Sequence, residues 1–73
     1  MDSNYAEYKR IGQNIQTRRK ARGMTQEKFA ERIGIAAQYM SVIETGRQAA
    51  SLPLLCKIAK EFGISLPRLI SGT

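Results

Sequence analysis

The sequence predicts an all-α fold, a compact bundle of five short helices. Three observations predict it. Apolar residues recur at spacings of three and four along the chain, Gly or Ser punctuates each such stretch, and no run alternates as a strand would. The first helix is expected over residues 5–22, where Tyr8, Ile11, Ile15 and Arg19 share one face, and Gly23 stands where a left-handed cap belongs. The second is expected over 26–33. Thr25 is its N-cap, although Lys28 stands where a capping box would carry Glu, and Glu27 favours the first-turn dipole. Met24, Phe29, Ala30 and Ile33 mark its apolar face, and Gly34 ends it. The third runs over 36–45 with Met40 and Ile43 inward and Gly46 as its stop. Ser51 caps a fourth over 52–62, with Pro53 tolerated in its first turn and Leu52, Leu55, Ile58, Ala59 and Phe62 as its stripe. Gly63 stops it, and Ser65 caps a fifth over 66–71 with Pro67 in the first turn.

Seventy-three residues make one domain, 1–73, since domains usually run to about 100–150 residues. Apolar residues are 42% of the chain, enough for a packed core. Charge is the outlier: 12 Lys plus Arg against 6 Asp plus Glu leave +6, which draws a small protein to polyanions. Residues 1–23 carry six basic side chains against Asp2 and Glu7, a net of +4, so the excess sits on the first helix. With no His and a single cysteine, Cys56, there is no triad, no disulfide within the chain and no ordinary zinc site. No cofactor is expected, and no nucleophile is paired with a base, so the chain does not read as an enzyme. The N-terminal MDSNYAEYKR has no signal-like apolar core and no apolar run approaches the ~18 residues of a membrane span. A cytoplasmic protein is expected. At this size a monomer is marginal, which favours an oligomer.

The informative stretch is QEKFAERIGIAAQYMSVIETG, Gln26 to Gly46. Two helices crossing at ~90–120° through a three- to four-residue turn need a small residue at the crossing, here Ala30. They need a turn residue that accepts positive φ, here Gly34. Apolar residues on both sides, Ile35, Met40 and Ile43, clamp the angle. One face of the second rod is then free to enter a major groove.

From Ile11 to Leu69 the chain resembles the XRE-type helix-turn-helix family, the lambda-repressor-like DNA-binding domains. The resemblance is carried by GMTQEKFAERIGI, YMSVIETGR and SLPLLCKIAKEFGISLPRLI, with Ala30, Gly34, Ser41, Ile43, Glu44 and Gly46 at the family's pattern positions. It implies double-stranded DNA as the partner and the third helix as the reading head, with Ala36, Ala37, Gln38, Ser41 and Val42 towards the bases. Gln38 suits adenine N6 and N7, whereas Ala36, Ala37 and Val42 offer apolar contact, for instance to a thymine methyl. The resemblance gives Gln26 a phosphate contact and support of the reading helix. It makes Arg47, Gln48 and the region of Ser51 phosphate-positioning, and it makes Arg19 and Glu44 an ion pair. Val42 departs from the Arg or Lys common there, Ala50 from Pro, and Arg18 from Leu. Pro53, Pro67 and Arg68 replace acidic residues and raise the basic charge.

Plainer roles are expected elsewhere. Lys20 and Arg22 read as a solvated helix face, Tyr39 as half-buried packing, Met24 and Met40 as core, and Cys56 as a small buried hydrophobe. One module touches few base pairs, so a homodimer on two half-sites one turn apart is expected. Leu66, Leu69 and Ile70 are the first-choice interface, Tyr5 and Tyr8 the second. With no room in 73 residues for an effector domain, regulation falls to concentration, a protein partner or competition for DNA. A phage-type repressor, a restriction-modification controller and an antitoxin fit equally. The alternative is a protein-interaction module, or the antitoxin of a toxin–antitoxin pair, on the same fold. A membrane-surface helix fits worse, because it needs no such capped partners.

Overall fold

The computed structural model describes residues 3–72 and contains five helices among them: α1 Ser3–Ala21, α2 Gln26–Ile33, α3 Ala37–Glu44, α4 Leu52–Phe62 and α5 Leu66–Ser71. The ends of the 1–73 range and the charge of Asp2 lie outside the described residues. The first helix therefore begins two residues before the expected start and ends at Ala21. In the third, Ala36 and Thr45 are the flanking caps rather than helical residues.

Each junction follows from local chemistry. The Thr25, Ser51 and Ser65 hydroxyls accept from the N–H groups of Lys28, Leu54 and Arg68, donors that helix starts leave unpaired. Between α2 and α3, Gly34 takes φ +78 and donates to the carbonyls of Ala30 and Glu31, while Ile35 donates to Ala30 O at 3.0 Å. This is a Schellman-type end, and it turns the chain into α3 within three residues.

The core holds Ile15, Phe29, Ala30, Ile33, Met40, Ile43, Leu55, Ile58, Ala59, Phe62 and Leu69. Phe29 of α2 and Phe62 of α4 stack with ring centroids 4.9 Å apart. Ala30 is 1% exposed, and α2 packs on both α3 and α4. Along its length α1 packs on α3 and α5. At Gly12 the approach of α1 to α3 is backbone to backbone. A Cβ there would meet the carbonyl oxygens of Ile43 and Glu44, the second at 2.7 Å.

Polar side chains of α1, and Arg22 just after it, also close the ends of other helices, whose last carbonyls lack partners within the helix. Asn14 donates to Leu69 O and Ile70 O at 3.1 Å, and Arg10 donates to Ile70 O at 3.0 Å. Arg22 donates to Phe62 O at 2.7 Å and to Glu61 O at 3.3 Å, with its guanidinium 5.5 Å from the Phe62 ring centroid. Arg22 is thus exposed, as expected, and in addition a C-terminal clamp on α4. A cation is favourable at that end of the helix dipole.

Four further expectations are corrected. Cys56 is exposed, because it lies beside the α4 stripe rather than on it. Leu52 is 60% exposed: it begins α4, one turn beyond Leu55, where the bundle no longer covers the stripe. Leu69 is 0% exposed, turned into the seam that α5 makes with α1 and α4, so it cannot serve as an intersubunit contact. Met24 is half-buried against the core rather than inside it. Among the described residues no helix is long and apolar enough to cross a membrane.

Candidate nucleic-acid interface

Two turns of helix, α3, present one face inward and one outward. Met40, Ile43 and Glu44 are buried. Gln38, Ser41, Val42 and Thr45 follow at the three-and-four spacing of the opposite stripe. Gln38 and Thr45 are exposed, Ser41 and Val42 half-buried. At the start of the helix Ala36 is exposed and Ala37 is half-buried against the core, which narrows the contact Ala37 can offer. Tyr39 is half-buried. Thr45 closes the C-terminal end: its hydroxyl lies 2.9 Å from Ser41 O and 3.2 Å from Val42 O, donating into that pair.

The outward stripe is held in place by a buried ionic cluster. Arg19 Nε donates to Glu44 Oε2 at 2.7 Å and its Nη2 to Oε1 at 3.0 Å, a bidentate pair. Arg19 Nη1 donates to Met24 O at 2.6 Å, and Gln26 Nε2 donates to Glu44 Oε1 at 2.9 Å. The two charged side chains are 7% and 0% exposed. One carboxylate on α3 therefore holds α1 and the first residue of α2, and Arg19 ties the α1–α2 turn to the same cluster. Every buried side-chain polar atom among the described residues has a partner. A cluster satisfied in this way fixes orientation more than it adds stability.

The phosphate candidates divide. Gln26 is half-buried and joins the ionic cluster through its amide nitrogen. Arg47 is exposed, with Nε 3.3 Å from the Thr45 hydroxyl. Gln48 is exposed and lines a small cavity with Tyr8, Ile11, Gly12, Ile43, Ala49, Ala50 and Leu55, below the α3–α4 loop. Ser51 uses its oxygen to cap α4 at 3.3 Å, which leaves its hydroxyl proton to donate elsewhere. The structure thus brings Arg19, Gln26 and Glu44 together and leaves Gln38, Arg47 and Gln48 facing solvent. Thr45, Gly12 and Asn14 play parts that the sequence reading did not give them. The spacing of Thr45 from Gln38 and Val42 was a signal for the first.

Among the described residues no cluster of His, Cys, Asp or Glu could hold a metal ion.

The helix-turn-helix family model HTH_3 matches residues 15–69. An uncharacterized HTH-type transcriptional regulator of Sinorhizobium fredii, y4dJ, is 34% identical over 65 residues, covering 89% of this chain and 84% of its own. Another from Methanothermobacter thermautotrophicus is 43% identical over 49 residues, 67% of this chain and 71% of its own. Among solved structures, the restriction-modification controller protein C.AhdI from Aeromonas hydrophila superposes with a TM-score of 0.84 at 29% identity, covering 93% of this chain and 99% of that one. The clp gene regulator ClgR from C. glutamicum gives 0.82 over 90% and 86% of the two chains; at 24% identity that likeness is one of fold. The chain belongs to the XRE-type helix-turn-helix family, whose members are DNA-binding transcription regulators and not enzymes.

Proposed function

We propose that this protein binds double-stranded DNA by sequence, with α3 in the major groove, as a homodimer on an operator of two half-sites. The observation that carries the reading is the division of α3, with Met40, Ile43 and Glu44 anchored inside and the Gln38–Thr45 stripe outside. Gln38 is the base reader, able to bond adenine N6 and N7 together. Ser41 donates or accepts, and Ala36, Val42 and the exposed edge of Ala37 give apolar contact. Gln26, Arg47, Gln48 and Ser51 set the register on phosphates. The net charge of +6 supports the sequence-independent part of the affinity. For the dimer, Leu66 and Ile70 are the half-buried apolar residues that α5 offers, and Tyr5, 46% exposed, is the other candidate.

Gln38→Ala tests the reading directly. It is expected to weaken binding to the selected site by about 1–3 kcal/mol while leaving mixed-sequence DNA nearly unaffected. Titration of both duplexes by fluorescence anisotropy measures it. An equal loss on the two would remove Gln38 from base reading.

A further inference from the structure

We propose that Lys9 binds a DNA phosphate, extending the contact from the α3–α4 loop onto the N-terminal half of α1; this rests on the DNA reading above. The sequence concentrates charge on α1 and the residue after it, but the structure commits three of those six basic side chains to the fold. Arg10 is held by Glu7 and Ile70 O, Arg19 by Glu44 and Met24 O, and Arg22 by Glu61 O and Phe62 O. Lys9 is exposed and has no ion pair or hydrogen bond to another described side chain.

Its position is set by a close backbone approach of α1 to the loop after α3. A Cβ on Gly46 would lie 2.6 Å from Lys9 Cα and 2.8 Å from Lys9 N. Gly46 is buried, and Arg47, the next residue, is exposed. Two cationic side chains thus leave adjoining backbone. Among the described residues, the carboxylates nearest in sequence are already used, Glu7 on Arg10 and Glu44 on Arg19 and Gln26. An unneutralised pair of cations beside the exit of the reading helix is what a phosphodiester backbone recognises. Successive charges on one DNA strand are spaced about 3.4 Å along the axis, so Arg47 and Lys9 can meet neighbouring phosphates. Lys9 carries no sequence information in this role; it positions and adds affinity.

The test is the salt dependence of binding to a mixed-sequence duplex by wild type, Lys9→Ala, Lys9→Glu and, as control, Lys60→Ala. Lys60 lies near the end of α4 remote from Ser51. Lys9→Ala is expected to lower the slope of log K against log salt by about 0.9, the release of one phosphate's counterion. Lys9→Glu is expected to lower it further, with unchanged melting temperatures and Lys60→Ala close to wild type. Wild-type binding with an unaltered Lys9→Ala slope overturns this proposal alone, and so does an equal change in Lys60→Ala. A wild-type protein that leaves duplexes free overturns the DNA reading and this proposal with it.

Discussion

Arg19→Ala is expected to cost about 3–5 kcal/mol of folding stability, the range for removing one partner of a buried ion pair. The size comes from what is left behind. Glu44, 3% exposed, would keep only the Gln26 amide, and Met24 O would lose its 2.6 Å donor. A domain of 73 residues has roughly 4–11 kcal/mol in all, at about 0.05–0.15 kcal/mol per residue. The variant would therefore be partly unfolded near physiological temperature. Lys20→Ala, one residue on and exposed, is expected to stay within about 0.5 kcal/mol of wild type. Removing both charges, as Arg19→Met with Glu44→Leu, is expected to recover much of the loss, because no buried charge is then stranded. Urea unfolding of the four proteins checks this. Equal midpoints for Arg19→Ala and Lys20→Ala would show that the cluster does not hold the fold.

Gly46→Ala is the second large effect, for two independent reasons. The residue has φ +78, a conformation that costs an L side chain about 1–2 kcal/mol. The new Cβ would also press on the backbone of Lys9, which cannot rotate away, and overpacking of this kind typically costs about 1–3 kcal/mol. Relief requires α1 to move from the end of α3. The expected result is a clear drop in melting temperature, at roughly 4–8 °C for each kcal/mol in a domain of this size. DNA affinity should fall with it, since the loop carrying Arg47 moves as well. Gly63→Ala is the comparison, with φ +71 but no atom within 4 Å of the new Cβ. It isolates the conformational part. Equal losses at the two glycines would mean that the contact with Lys9 contributes nothing.

The fold was legible because its signals are local. Thr25, Ser51 and Ser65 are N-caps that announce themselves by residue type, and Gly34 is a stop recognisable beside the periodicity of α2. The Arg19–Glu44 contact, twenty-five residues apart, became visible through the family resemblance and not through periodicity. What stayed hidden depends on which neighbours a face meets. Leu52 and Leu69 look alike as helical leucines, yet one begins a helix beyond the edge of the bundle and the other fills a seam between three helices. Gly12 sits inside a helix with ordinary spacing, and nothing in the sequence shows that α3 crosses there at backbone contact. Arg22 reads as a surface charge until the end of α4 is known to lie beside it.

For the interface, the family resemblance pointed to α3 and to Gln38, Ser41 and Val42 on it, whereas the role proposed for Lys9 needs the position of Gly46. The decisive measurement is selection of bound duplexes from a random pool, carried out with wild type and with Gln38→Ala. The wild-type protein should enrich an inverted repeat with half-sites about one helical turn apart, roughly 34–36 Å, and Gln38→Ala should lose preference at one position in each half. A pool that stays random, or an identical motif from both proteins, would contradict the assignment of α3 as the reading helix.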